Sequence, residues 1–283
     1  MKNLFPASAR WLKPGRQAHP VNEPAAFAHR RTLAILLAVL GALLGGWLWR
    51  YGPAGGVELF GRPLAGLPLA VWQLGSTLGD ARVLLIVALP FCRRHPRLLW
   101  ALILASLFVW LLSRGLKHLV HLPRPLAPPD QALSGYDQKF SGSYSFPSGH
   151  TATIFSFISL WLAALPWRRS ILLLLPGLFV ACSRVMLGLH WPFDVIGGAL
   201  IGLLAARAGI LVAEHWHWGE QPVVHRRLAI VVLLLSMSLP FVDTGYPVTF
   251  PFRVALMIAG AAMLVAIHTT PFFSARREKP ASQ

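Results

Sequence analysis

The feature that most constrains this chain is the recurrence of apolar runs near the length of a bilayer crossing, divided by short clusters of Arg, Pro and Gly. The runs cover roughly 32–49, 77–92, 98–118, 150–166, 170–188, 193–213, 227–241 and 252–269. A helix satisfies its own backbone hydrogen bonds and can therefore sit in lipid, whereas an open sheet edge cannot. Several runs lie near the lower length limit, and Pro90, Pro176 and Pro192 require the local accommodation that membrane bundles allow. The stretch 55–75, with Gly and Pro every few residues, is too broken for a crossing and reads as an interfacial or re-entrant segment. The expected fold class is an all-α integral membrane protein.

Composition narrows the partners. Of 283 residues only 13% are charged and 55% are hydrophobic, where a soluble domain carries about 25% charged residues. A formal net charge of +16 would point to nucleic acid in a soluble chain. Here most Lys and Arg border the apolar runs, so anionic phospholipids are the expected partners and nucleic acid is not. The two cysteines, Cys92 and Cys182, have neither metal-ligand spacing nor a disulfide framework and read as small core residues. Residues 1–31 are basic and polar, and the run after them lacks a convincing cleavage site. They are expected to form a cytoplasmic segment ahead of a retained first span.

Charge also predicts orientation. Lys2, Arg10, Lys13, Arg16, Arg30 and Arg31 precede the first run; Arg93, Arg94 and Arg97 follow the second; Arg168 and Arg169 follow the fourth. Arg226 and Arg227 lie at the start of the seventh, and Arg276, Arg277 and Lys279 follow the last. Eight crossings put all of these on one side, which the positive-inside rule makes cytoplasmic. Both termini are then inside, with Arg50 and Arg62 as mild exceptions. Segments 117–149, 184–192 and 242–251 fall outside, and Lys117, Arg124 and Lys139 become basic residues on the disfavoured side. An anionic ligand would explain them.

Three short patterns occupy the first two of these outer segments: Lys117-x6-Arg124-Pro125, Pro147-Ser148-Gly149-His150, and Ser183-Arg184-x5-His190-x3-Asp194. Pro147 and Ser148 suit a helix start, whose free N–H groups attract an anion, and Gly149 allows close approach of that backbone. Plain helix capping is the competing reading. His190 and Asp194 are one helical turn apart, so the carboxylate can orient the ring; a purely structural His–Asp bond is the alternative. Asp194 is the only acidic residue between Asp137 and Glu214, and a carboxylate at the start of a membrane helix is expensive unless paired. Lys117, Arg124 and Arg184 supply cations for a dianionic group, though each alone could snorkel to headgroups.

Together the three patterns resemble the type 2 phosphatidic acid phosphatase (PAP2) superfamily, the lipid phosphate phosphatase group, over about 32–213. The resemblance implies a six-helix core at 32–213, with 214–283 as an appended segment carrying two more helices. It implies hydrolysis of a lipid phosphate or diphosphate without metal or other cofactor, through a phosphohistidine on His190. Asp194 would orient that ring and His150 would act as general acid and base. Lys117, Arg124, Ser148, Gly149, Ser183 and Arg184 would hold the phosphoryl oxygens. The lone Asp194 points the same way, because two-metal phosphatases gather several carboxylates.

Asp130 and Asp137 read as solvated loop residues, His118 and His121 as facing headgroups or the site's outer shell, and His215 and His217 as lying on the inner side. A polyprenyl diphosphate is the preferred substrate. Phosphatidylglycerophosphate, phosphatidate and lipid A phosphates remain compatible, as does a phosphotransferase using the same histidine. An anion transporter or channel, the alternative of another class, would need polar residues at several depths. The expected location is the bacterial inner membrane with the site on its extracytoplasmic face; protein partners are not legible. The connection Pro240 to Pro247 reads as an inert hairpin, with covering the site mouth or contacting a partner as the alternatives.

Overall fold

The computed structural model describes residues 23–59, 66–92, 95–125, 143–164 and 171–269. Asp130, Asp137, Lys139 and much of the basic inner-loop signal, including Lys2, Arg93, Arg168 and Arg276, lie outside the described residues. The described chain is all-helical, with α1 (Glu23–Tyr51), α2 (Leu69–Leu78), α3 (Ala81–Cys92), α4 (Pro96–Val120), α5 (Gly149–Ala164), α6 (Leu174–Met186), α7 (Pro192–His215), α8 (Pro222–Met237) and α9 (Phe250–Thr269). Five helices are long and apolar enough to cross a membrane, and α2 with α3 forms a sixth unit bent by 59°. The chain is an all-α membrane protein of several spans. Helices α5 and α6, at 16 and 13 residues, are shorter than a straight crossing of about 20 requires.

Helix α7 is the centre, and its glycines explain why. A Cβ at Gly198 would come within 2.6 Å of the Ser148 carbonyl oxygen, and one at Gly202 within 2.4 Å of that of Ala152. Gly209 meets the backbone of α4 at Ala101 in the same way, at 2.7 Å. Helices in lipid gain from such backbone contact because tails are as apolar as leucine and burial alone gives little drive. Leu98, Leu99, Ile154, Ile158, Leu160 and Val180 fill the shared core. Leu107, Trp110, Leu111, Leu175, Leu178, Leu234 and Ile258 face outward, as a lipid-facing surface would.

One end of the bundle is clamped by Arg97, which donates to both carboxylate oxygens of Glu220 at 2.7 and 3.1 Å. Trp100 Nε1 donates to the Trp216 carbonyl there, and His217 bonds the same Glu220. Lys117 lies at the far end of α4, about 30 Å away at 1.5 Å per residue. His215 and His217 lie at the clamped end, remote from it.

The structure corrects the start of the second span. The helix begins at Leu69 rather than at 77, so 69–75 is helical and packs on α6. Gly79 ends α2, and the Asp80 carboxylate accepts from the Arg82 N–H at 2.8 Å, capping α3. That break in an apolar run makes the elbow.

Candidate active site

The three sequence patterns meet at the far end of the bundle from the Arg97 clamp. Helix α4 ends at His121, whose φ of 52° is left-handed and whose N–H bonds the Lys117 carbonyl. The chain then runs out through Leu122 and Arg124 beside the segment leading into α5: Ser145 N–H donates to the Leu122 carbonyl at 2.7 Å. Lys117 Nζ donates to the carbonyls of Tyr144 and Ser145 at 2.8 and 2.9 Å, fixing that segment. His121 stands edge-on to Tyr144, and His118 is exposed.

Ser148 caps α5. Its Oγ accepts from the Thr151 N–H at 3.4 Å and pairs with the Thr151 hydroxyl at 2.9 Å. Its N–H donates to the Asp194 carbonyl at 3.0 Å, tying the first turn of α5 to the first turn of α7. A Cβ at Gly149 would meet nothing within 4 Å, so open space lies beside the helix start. His150 follows and packs on the elbow, where a Cβ at Gly79 would be 2.9 Å from its own.

The third pattern is a helix stop followed by a helix start. Gly188 has φ 66°, its N–H bonds the Val185 carbonyl at 2.9 Å, and the Leu189 N–H reaches the Arg184 carbonyl at 3.2 Å. This pair of bonds is a Schellman motif, and glycine supplies the left-handed residue it needs. The His190 N–H shares the Arg184 carbonyl at 3.2 Å. Pro192 then opens α7, and Asp194 Oδ2 accepts from the Trp191 N–H at 2.8 Å. Trp191 Nε1 donates to the Pro123 carbonyl at 2.8 Å, locking this turn to the first pattern.

His190 is 2% exposed and Asp194 fully buried, with His190 Nδ1 and Asp194 Oδ2 3.2 Å apart. Arg124 Nη1 lies 3.4 Å from His190 Nε2 and donates to the Leu189 carbonyl at 2.7 Å, while its Nε donates to Ser143 Oγ at 2.8 Å. A guanidinium has no acceptor, so Nε2 faces it with its lone pair and the ring proton sits on Nδ1, donated to Asp194. Burial holds the His190 imidazole well below its ordinary range, and Arg184, Arg124 and Lys117 push in the same direction. His190 is thus a neutral base with its free lone pair turned toward cations.

Arg184 is 3% exposed. Its Nη1 donates to Ser76 Oγ on α2, while its Nε has no hydrogen-bond partner among the described residues. Ser183 Oγ donates back to the Phe179 carbonyl at 2.6 Å, in the seam against Gly75 of α2. No group of three or more His, Cys, Asp or Glu gathers among the described residues.

The sequence patterns did not reveal the contribution of the α2–α3 elbow: Ser76 under Arg184, Gly79 under His150, and Asp80 held by Arg82 at 2.7 Å. The only advance signals were polar residues and glycines interrupting an apolar run. The connection after α8 packs against the site end. Tyr246 within it is 3% exposed and packs with Trp72, Leu187 and Leu189.

The site end thus sets a buried histidine on a carboxylate, cations around its other nitrogen and a helix start nearby, in an all-α membrane protein. Residues 97–218, which hold all three patterns, match the PAP2 superfamily. A candidate undecaprenyl-diphosphatase of Escherichia coli is 41% identical over 71 residues, 24% of this chain and 34% of that relative. The undecaprenyl-diphosphatase of Sulfolobus acidocaldarius is 41% identical over 59 residues, 21% of this chain and 29% of its own. The lipid A 1-phosphatase of Rhizobium etli is 31% identical over 115 residues, 37% and 49% respectively. The matches thus span about a third to a half of the length of these relatives. No solved structure matches the chain.

Proposed function

We propose that this protein hydrolyses a membrane lipid phosphate or diphosphate through a phosphohistidine on His190. The observation that carries the reading is the His190 ring itself: Nδ1 on buried Asp194 at 3.2 Å, Nε2 with its lone pair toward Arg124 at 3.4 Å. In the first step the Nε2 lone pair attacks phosphorus and the bond to the leaving oxygen breaks. His150 gives that oxygen a proton, so it need not depart as an anion. Asp194 stabilises the positive charge that grows on the ring. In the second step water transfers a proton to His150 as its oxygen attacks phosphorus, and cleavage of the N–P bond returns His190 as free base.

Arg124, Arg184 and the N–H groups opening α5 at Gly149 hold the phosphoryl oxygens, where charge grows in the transition state. Lys117 adds charge and braces the segment before Pro147, and Ser148 shapes the helix start. Ser183, tied to Phe179, is left out of this shell. Every charge is met by the chain's own groups, and no step uses a metal ion.

Two of the relatives carry undecaprenyl-diphosphatase in their names, which supports a polyprenyl diphosphate as the preferred substrate, its tail remaining in lipid. The working unit is 32–213, with 1–31 as a cytoplasmic segment and 214–283 as an appended pair of helices. The site faces away from the cytoplasm of a bacterial inner membrane.

Rapid-quench labelling with a radioactive polyprenyl diphosphate tests the mechanism, using an alkaline quench because phosphohistidine is acid-labile. Wild type should show a transient labelled protein, absent in His190→Ala. His150→Ala should slow turnover by about 10²–10⁴-fold yet still accumulate label. Label at the wild-type level in folded His190→Ala would sink the assignment. Phosphorylated lipid in place of free phosphate as the product would identify a transferase instead.

A further inference from the structure

A group outside the three patterns reaches the site from the connection between α8 and α9, which lies beyond the family match at 97–218. The Tyr246 ring is buried against Leu187 and Leu189, the turn that carries His190, and against Trp72 of α2. Its hydroxyl accepts from Ser76 Oγ at 3.5 Å, and Ser76 Oγ in turn accepts from Arg184 Nη1. Ser76 has one proton; spending it on Tyr246 turns the hydroxyl's lone pairs to the guanidinium.

Tyr246 is itself held firmly. Its N–H reaches Thr244 Oγ1 at 3.3 Å, its carbonyl accepts from the Thr249 N–H and hydroxyl at 3.0 and 2.9 Å, and Gly245 takes a φ of 73°. Arg253 Nη1 ties the same connection to α9 through the Leu239 and Val242 carbonyls at 3.1 and 2.6 Å.

We propose that Tyr246 is a positioning residue: through Ser76 it fixes the direction of the Arg184 guanidinium, making the C-terminal helix pair part of the phosphate-binding machinery. The proposal rests on Arg184 as a phosphoryl ligand, the reading given above. It supplies a reason for a serine on α2 beneath a buried arginine whose Nε is still unpartnered. A guanidinium gripped on one side presents its remaining N–H groups in a fixed fork, so little rotamer entropy is lost when a phosphoryl group arrives.

The full chain is purified in detergent as wild type, Tyr246→Phe, Ser76→Ala, the double variant, and Val248→Ala as a control at an exposed position in the same connection. Turnover is measured on farnesyl diphosphate, and affinity for orthovanadate, a pentacoordinate phosphoryl mimic, is read from its effect on melting temperature. Tyr246→Phe keeps the ring, so the ligand-free melting temperature should be unchanged. Its kcat and vanadate affinity should each fall by about 3- to 10-fold, the range of one net hydrogen bond, with KM little altered. The double variant should be no worse than Ser76→Ala, because both act through one chain of bonds.

Wild-type kcat and vanadate affinity in Tyr246→Phe would overturn the proposal. So would a loss matched by a lower melting temperature, or independent effects in the double variant. If wild type hydrolyses no lipid phosphate, the functional reading fails, and the vanadate comparison still decides the relay.

Discussion

At the residue scale, Gly149 separates a structural from a chemical reason for a small side chain. The elbow, seam and core glycines, Gly75, Gly79 and Gly198, are pressed by neighbouring atoms, whereas a Cβ on Gly149 meets nothing within 4 Å. The protein itself therefore does not require glycine there; under the proposed function, the close approach of a phosphoryl group would. Gly149→Ala should fold with wild-type melting behaviour and lose about 10- to 100-fold in kcat/KM, the scale of a displacement of about 1 Å in a reacting group. Unchanged kinetics would remove the α5 start from the phosphate shell. The same scale separates Ser148 from Ser183. One hydroxyl caps the helix that opens at the site, and the other returns its proton to its own helix.

At the element scale, the site is made from helix ends, and its geometry depends on how closely α5 and α7 approach. Gly198 faces the Ser148 carbonyl, the same residue whose N–H bonds Asp194. An added methyl would push apart the two turns carrying His150 and Asp194. Gly198→Ala should cost about 1–3 kcal/mol in stability, as overpacking does, and should lower kcat more than Gly209→Ala. Gly209 makes an equally close contact with α4 at Ala101, toward the Arg97 clamp. Equal kinetic losses from the two, measured on folded protein, would show that α5–α7 spacing does not set the chemistry. The elbow of α2 and α3 acts at this scale too, because its 59° bend brings Ser76 and Gly79 to residues of α6 and α5.

At the scale of the whole molecule, the connections between α4 and α5, α6 and α7, and α8 and α9 share one end, and the Arg97–Glu220 clamp lies at the other. With arginines concentrated in the opposite connections, the site end should face away from the cytoplasm. Single cysteines at Val248 and Val223, both exposed, can be introduced where Cys92 and Cys182 have been replaced. An impermeant thiol reagent on intact cells should label position 248 and spare 223. The reverse pattern would invert the proposed topology.

What the sequence by itself determined is periodic and local. Runs of apolar residues specified membrane helices because lipid leaves backbone groups no other partner. Gly188 ends one helix and Pro192 with Asp194 opens the next, since caps act over one turn. The His190–Asp194 pairing was legible for the same reason, lying four residues apart. Only the tertiary structure decided that Lys117 grips the Tyr144 and Ser145 carbonyls, that Ser183 bonds its own helix, and that Ser76 and Tyr246 stand behind Arg184. Ser76 and Tyr246 are 170 residues apart. No repeat or spacing encodes such a contact. It arises because glycines let particular helices approach closely, and a buried guanidinium then requires a partner from whichever helix lies against it.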